Sequence, residues 1–114
     1  LIEIGGQATE GTQVLSCPIA EYLPVAKEFS ENYQAKYNQE PGPYAALAYD
    51  GIKILADGMV RADTTDAAAV IQAISETKDY HGVAGTTTFA ENHTLATSNF
   101  MVVEVQDGKF VLVE

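Results

Sequence analysis

The amino-acid sequence predicts an α/β fold in which three consecutive helices are flanked by short strands and a β-hairpin closes the chain. The helices are predicted because apolar residues recur every three or four positions in three successive stretches. The hairpin is predicted because two apolar runs, Asn99 to Gln106 and Lys109 to Val113, flank Asp107-Gly108, a dipeptide favoured in two-residue turns.

The N-terminal part supplies a short strand and the first helix. Residues 1–11 are rich in glycine and are typical of a helix remnant or loop that ends in a turn. A strand is predicted from Gly11 to Cys17, where Pro18 ends it. The first helix is predicted from Glu21 to Gln39, and Pro24 is compatible with it because it lies in the first turn. Its predicted buried residues are Val25, Phe29, Tyr33 and Tyr37.

The second helix, Pro41 to Ala62, carries the clearest amphipathic pattern, with one buried face and a charged face opposite. Predicted to be buried are Ala45, Ala48, Tyr49, Ile52, Leu55, Ala56 and Met59; predicted to be exposed are Asp50, Lys53, Asp57 and Arg61. Gly51 and Gly58 each cost about 1 kcal/mol relative to alanine in an exposed helix. Each is therefore either a close packing contact or a tolerated glycine.

The third helix is predicted to start at a Thr64-Thr65-Asp66 cap and to run to about Thr77. Its predicted buried residues are Val70, Ile71 and Ile74. After it, residues 80–85 are turn-rich and residues 86–89 are strand-like. The four consecutive apolar residues from Phe100 to Val103 predict a strand that is covered on both faces.

Charge and motifs exclude several function classes. The 114 residues carry a net charge of −10, which disfavours nucleic acid and anionic membrane surfaces as partners. The single cysteine, Cys17, is typical of a small buried residue, and His81 and His93 lack the spacing of a metal site. Neither a metal nor another cofactor is expected. No nucleophile motif is present either, so a small acidic α/β enzyme is the weakest hypothesis.

Tyr44 is the most informative aromatic residue, since it stands at the start of the central helix after Pro-Gly-Pro. It could line a small-molecule cleft or fasten the helix to a neighbouring element, and the pattern alone favours the second.

The ordered set of segments resembles the C-terminal third of the branched-chain amino-acid class of ABC-transporter substrate-binding proteins, which have the type I periplasmic-binding fold. The matching segments are ATEG at 8–11, the aromatic steps Phe29, Tyr33 and Tyr37, PYAALAYDGIKILADGM at 43–59, YHGVAGTTTF at 80–89 with ENHT after it, and FMVVEVQDGKFV at 100–111. Ala90 departs from the acidic residue that relatives often carry there, and we expect that change to affect a surface loop.

The resemblance implies part of a two-lobed protein that closes on a small ligand, usually an amino acid, and delivers it to a membrane permease. Residues 1–17 would contain the last strand of one lobe, residues 18–97 the helical part of the other lobe, and residues 98–114 a hairpin that returns to the first. The implied cleft residues are Tyr44 and Ala46, and the implied hinge residues are Cys17, Pro18, Asn99 and Phe100.

The resemblance also implies an extracytoplasmic parent, either periplasmic or held at the cell surface as a lipoprotein, although this chain shows no targeting signal. A chain with so few strands is expected to be a fragment, and it could form a homodimer by exchanging strands or the hairpin. The alternative function is a ligand-sensing receptor domain of the same fold.

Overall fold

The computed structural model describes residues 1–96 and 100–113. Its helices are α1 (Ile2–Gly5), α2 (Lys27–Tyr37), α3 (Pro43–Ala62) and α4 (Ala67–Ser75), and its strands are β1 (Gln13–Ser16), β2 (Tyr80–Gly82), β3 (Gly85–Thr87), β4 (Met101–Gln106) and β5 (Lys109–Val113). Three 3₁₀ turns complete the regular structure, at Gly6–Thr9, Ala20–Tyr22 and Pro24–Ala26.

The two ends of the chain form one antiparallel sheet in the order β1-β4-β5. The predicted hairpin is confirmed: Asp107 and Gly108 have φ of 52° and 71°, as a turn with two left-handed central residues requires. The sheet buries only one face, that of Val103 and Val105, while Val102 is 39% exposed. The prediction that this strand is covered on both faces is therefore wrong here, because no described element lies over the second face.

Helix α2 is shorter than predicted, since residues 20–26 form two 3₁₀ turns instead of a continuous helix. Pro24 explains this, because proline disfavours the helical conformation in the residue before it, and Leu23 is extended with φ −106° and ψ 112°. On α2, Phe29 and Tyr33 are half-buried aromatic neighbours with ring centroids 5.8 Å apart and ring planes tilted by 48°. Val25 and Tyr37 are 57% and 53% exposed, so their predicted burial is wrong.

Helix α3 begins at Pro43 instead of the predicted Pro41 and ends at Ala62 as predicted, but it buries a different face. The buried residues recur at steps of four: Ala46, Asp50, Ile54 and Gly58. In the predicted stripe, by contrast, Tyr49 is 44% exposed and Ile52 is 67% exposed. The helix is apolar around most of its circumference, and the described elements pack against only one side. Asp50, which was predicted to be solvated, is 4% exposed.

Helix α4 begins with the predicted cap, in which Asp66 Oδ1 accepts a hydrogen bond from the Ala69 amide at 3.1 Å. Val70 is buried and Ile74 half-buried, as predicted, but Ile71 is 60% exposed. The helix packs so closely on α3 that a Cβ on Gly58 would lie 2.7 Å from Ile74 Cγ1. Gly58 is therefore a close packing contact.

The structure divides into a sheet body, residues 1–16 and 101–113, and a helical body, residues 20–96. The bodies touch where the Tyr22 hydroxyl donates a hydrogen bond to the Phe110 carbonyl. The Ile19 amide also lies 3.4 Å from Met101 Sδ. In the described ranges, no helix is long and apolar enough to cross a membrane.

Candidate functional site at the start of helix α3

Four alanines form the core beside the first turn of α3: Ala20, Ala26, Ala46 and Ala84 are each at most 5% exposed. They come from the two 3₁₀ turns, from α3 and from the turn between β2 and β3. Because alanine side chains are small, these segments approach one another closely. Leu23, Phe29 and Val83 pack around the cluster. The position of the α3 N-terminus is thus set by three separate parts of the chain.

The Asp50 carboxylate connects α3 to the hairpin formed by β2 and β3. Its Oδ1 accepts a hydrogen bond from the Val83 amide at 2.9 Å, and its Oδ2 accepts one from the Ala84 amide at 2.7 Å. A Cβ on Gly82 would collide with the carboxylate, so the glycine leaves the space that the acid occupies. We call Asp50, Gly82 and the amides of Val83 and Ala84 the carboxylate clip.

Tyr44 is 73% exposed, whereas Ala46 has no exposed surface. Two residues along an α-helix are separated by about 200° around its axis, so Tyr44 lies on the side away from the alanine core. The structure does not bring the two predicted cleft residues together on one surface. In this arrangement Tyr44 is exposed to solvent, and Ala46 packs in the alanine core beneath the turn.

An open groove of about 680 Å³ runs between α2 and α3. Its aromatic residues include Phe29 and Tyr49, whose ring centroids are 5.2 Å apart, together with Tyr33 and Tyr37. The sequence pattern predicted these side chains to be buried, and here they line a surface groove.

Three of the four predicted hinge residues line one apolar cavity of about 340 Å³ on the surface of the helical body. Cys17 is half-buried, Pro18 is buried and Phe100 is 59% exposed. Asn99 lies outside the described residues. Asp50 and Ile54 form part of the same wall, so the cavity joins the connections between the bodies to the buried face of α3.

Sequence reasoning missed Asp50 and Gly82. The signal that could have found Asp50 is its position midway between Ala46 and Ile54 at steps of four, which places a lone acid in an apolar row. Nearby, burial raises the pKa of Tyr80, and the negative charges of Asp50 and Asp57 raise it further. His81 and His93 are both exposed, and the described part of the chain holds no group of three side chains suited to a metal ion.

Solved structures of binding proteins share the fold of this chain. A leucine-binding protein, LivK of Thermotoga maritima, is 32% identical and superimposes on 99% of this chain and 33% of its own, with a TM-score of 0.88. LivJ of Streptococcus pneumoniae, solved in complex with isoleucine, is 29% identical and matches 89% of this chain and 30% of its own, with a TM-score of 0.76.

A curated relative, Leu/Ile/Val-binding protein homolog 3 of Brucella melitensis, is 31% identical over 97% of this chain and 30% of its own length. The chain thus spans about a third of the length of the proteins it matches. The predicted fold class, part of a type I periplasmic-binding fold, is confirmed by the LivK superposition. The profile of the family described as periplasmic binding protein matches residues 1–109, and the chain belongs to that family.

Proposed function

We propose that this chain is the C-terminal part of a solute-binding protein that captures a branched-chain amino acid for import by an ABC transporter. The observation that carries the proposal is the LivK superposition, in which almost the whole chain matches one third of a leucine-binding protein. The LivJ structure with isoleucine supports the same class of ligand.

The two bodies correspond in this proposal to pieces of two lobes. Both chain ends build the sheet body, and residues 18–97 lie between them in sequence, so the chain crosses between the bodies twice. Cys17, Pro18, Asn99 and Phe100 would form the hinge at these crossings. Binding would then proceed by closure of the lobes around the ligand, without a chemical step.

Tyr44 would line the cleft, since it is exposed at the first turn of α3 while the opposite side of that turn is fixed. Its ring offers an apolar surface to an aliphatic side chain and a hydroxyl to a polar group. Ala46 would support this wall from beneath.

The parent would act outside the cytoplasm, free in the periplasm or attached to the membrane as a lipoprotein, and would dock on an ABC permease. The family to which the chain belongs supports the extracytoplasmic location. In isolation, the chain would form a homodimer by exchanging strands or the hairpin. The uncovered faces of α3 and of the sheet favour this, since large exposed apolar surfaces promote association.

The experiment is a calorimetric titration with leucine, isoleucine and valine, performed on this chain and on a polypeptide extended upstream to the length of the relatives. We expect heat of binding from the extended protein and none from the chain alone. In the extended protein, Tyr44→Ala should weaken binding roughly tenfold, whereas Tyr37→Ala, a control at another exposed tyrosine, should not.

An extended, folded protein that binds none of these amino acids would contradict the proposed ligand class. Uptake of labelled leucine in cells that carry the permease separates import from sensing. Binding without any contribution to uptake would favour a receptor domain.

A further inference from the structure

We infer that Asp50 is a positioning residue for Tyr44. Through the carboxylate clip, Asp50 holds the β2–β3 turn against α3. This contact fixes the first turn of α3, where Tyr44 lies. The link to ligand binding rests on the proposed function, while the link between Asp50 and the first turn of α3 stands on the structure alone.

The Asp50 carboxylate is buried and paired on both of its oxygens. Asp50 is 4% exposed, and each of its oxygens accepts one backbone amide, from Val83 and from Ala84. A buried carboxylate is costly unless its oxygens are paired, and hydrogen bonds to an ionised acceptor are stronger than neutral ones. The clip therefore holds two consecutive amides of a turn in one orientation.

The β2–β3 turn packs against the start of α3. The residue whose amide Asp50 Oδ2 binds, Ala84, is 5% exposed and belongs to the same alanine cluster as Ala46. Ala46 lies one helical turn before Asp50, so the β2–β3 turn is attached to α3 at two points. Loss of the carboxylate contact would loosen Ala84 and, with it, the support beneath Ala46.

Ala46 and Tyr44 share the first turn of α3. Tyr44 is 73% exposed and is not part of the alanine cluster. Its position therefore depends on the backbone of the first turn, which the cluster supports from the opposite side. A side chain that must meet a ligand in one geometry binds more tightly when its backbone is already fixed.

The test uses the chain labelled with 3-fluorotyrosine and observed by fluorine NMR, with the Tyr44 resonance assigned by Tyr44→Phe. Asp50→Asn keeps the size of the side chain but turns an NH₂ group toward one of the amide donors. We expect the Val83 and Ala84 amides to exchange roughly tenfold faster or more and the Tyr44 resonance to shift or broaden. Asp57→Asn, which makes the same charge change on the same helix, should leave both unchanged.

A change at Val83 and Ala84 without any change at Tyr44 would overturn the positioning role. Should Asp50→Asn fail to fold, hydrogen exchange of the unmodified chain decides the question. The Ala84 amide and the Leu47 amide, in the helical turn after Tyr44, should then open as one unit with the same dependence on urea. Opening of Ala84 while Leu47 stays protected would contradict the inference.

Ligand binding is tested in the extended protein, where Asp50→Asn should weaken binding of leucine roughly tenfold and Asp57→Asn should not. If that protein binds no amino acid before substitution, the proposed function fails while the NMR result still judges the clip. If it binds, and Asp50→Asn leaves the affinity unchanged, the link from the clip to the ligand site is wrong.

Discussion

Asp50 and Gly82 are complementary: the carboxylate fills the space that a side chain at position 82 would need. Without a Cβ at Gly82, the acid can approach the turn closely enough to bind two successive amides. The contact joins residues 32 positions apart and ties the β2–β3 hairpin to the longest helix of the described chain.

This complementarity predicts coupling between the two positions. Asp50→Ala should lower the free energy of unfolding by about 2–4 kcal/mol, because a part-buried amide and a buried amide both lose a charged acceptor. Gly82→Ala should cost about 1–3 kcal/mol, because the added methyl group displaces the carboxylate. Urea denaturation of both variants and of the double variant measures the coupling. In the Asp50→Ala background, Gly82→Ala should cost much less, and strictly additive costs would contradict the contact.

The surroundings of the two glycines in α3 predict that a Gly→Ala substitution has opposite effects on stability at the two positions. Gly51→Ala should stabilise the chain by about 1 kcal/mol, because alanine favours a helix and no atom lies within 4 Å of the added Cβ. Gly58→Ala should destabilise it by about 1–2 kcal/mol, because the new Cβ would lie 2.7 Å from Ile74 Cγ1. Thermal denaturation followed by circular dichroism compares the two. Equal shifts in Tm would show that α4 does not pack this closely on α3.

The uncovered face of α3 predicts a contrast between two neighbouring isoleucines. Ile52→Lys should change the stability of the chain by less than about 0.5 kcal/mol, since Ile52 is 67% exposed. Ile54→Lys should cost about 3 kcal/mol or more, since Ile54 is 6% exposed and a charged side chain would replace its apolar contacts.

Ile52→Lys also tests self-association of the chain. Sedimentation velocity should show less self-association for Ile52→Lys than for the unmodified chain, because a charge then interrupts the apolar face. A large loss of stability at Ile52, in a chain shown to be monomeric, would mean that this face is buried in solution.

The three main helices and the C-terminal hairpin could be predicted because they depend on local signals. Residues close together in the sequence determine each of these features: the Asp107-Gly108 turn, the Asp66 cap and the helical period of residues 43–62. The buried side of α3 could not be predicted in the same way. The helix is apolar on most of its surface, so periodicity identified the larger stripe, while the described neighbours cover the row that contains Asp50.

The carboxylate clip could not be predicted from the sequence for a related reason. An acid in a helix is usually solvated, and only the fold brings the turn after Gly82 to the carboxylate. Tyr44 could be singled out because its position at a helix start is a local property. Its separation from Ala46 was missed, although the helical geometry that places neighbours two apart on opposite sides is known in advance.

The hydrogen bonds of the Glu104 carboxylate predict how the stability of the sheet depends on pH. Its carboxylate accepts hydrogen bonds from Gln13 across the strand pair and from Gln106 on its own strand, each at 2.9 Å. These bonds lower the pKa of Glu104 below its ordinary value of 4.5, and the bond from Gln13 is the larger cause. Because the folded pKa is the lower one, the stabilisation is present above the unfolded pKa and is lost as the pH falls through the folded pKa.

Carbon-13 NMR titration of the glutamate carboxyl groups measures this effect. Gln13→Ala should raise the pKa of Glu104 more than Gln106→Ala does, because the Gln13 bond is the larger cause of the shift. Gln34→Ala, a control on α2, should leave it unchanged. The stability lost in Gln13→Ala should also shrink below the folded pKa, where Glu104 is protonated in both proteins. An equal loss of stability at all pH values would mean that Gln13 acts through packing instead of through the carboxylate.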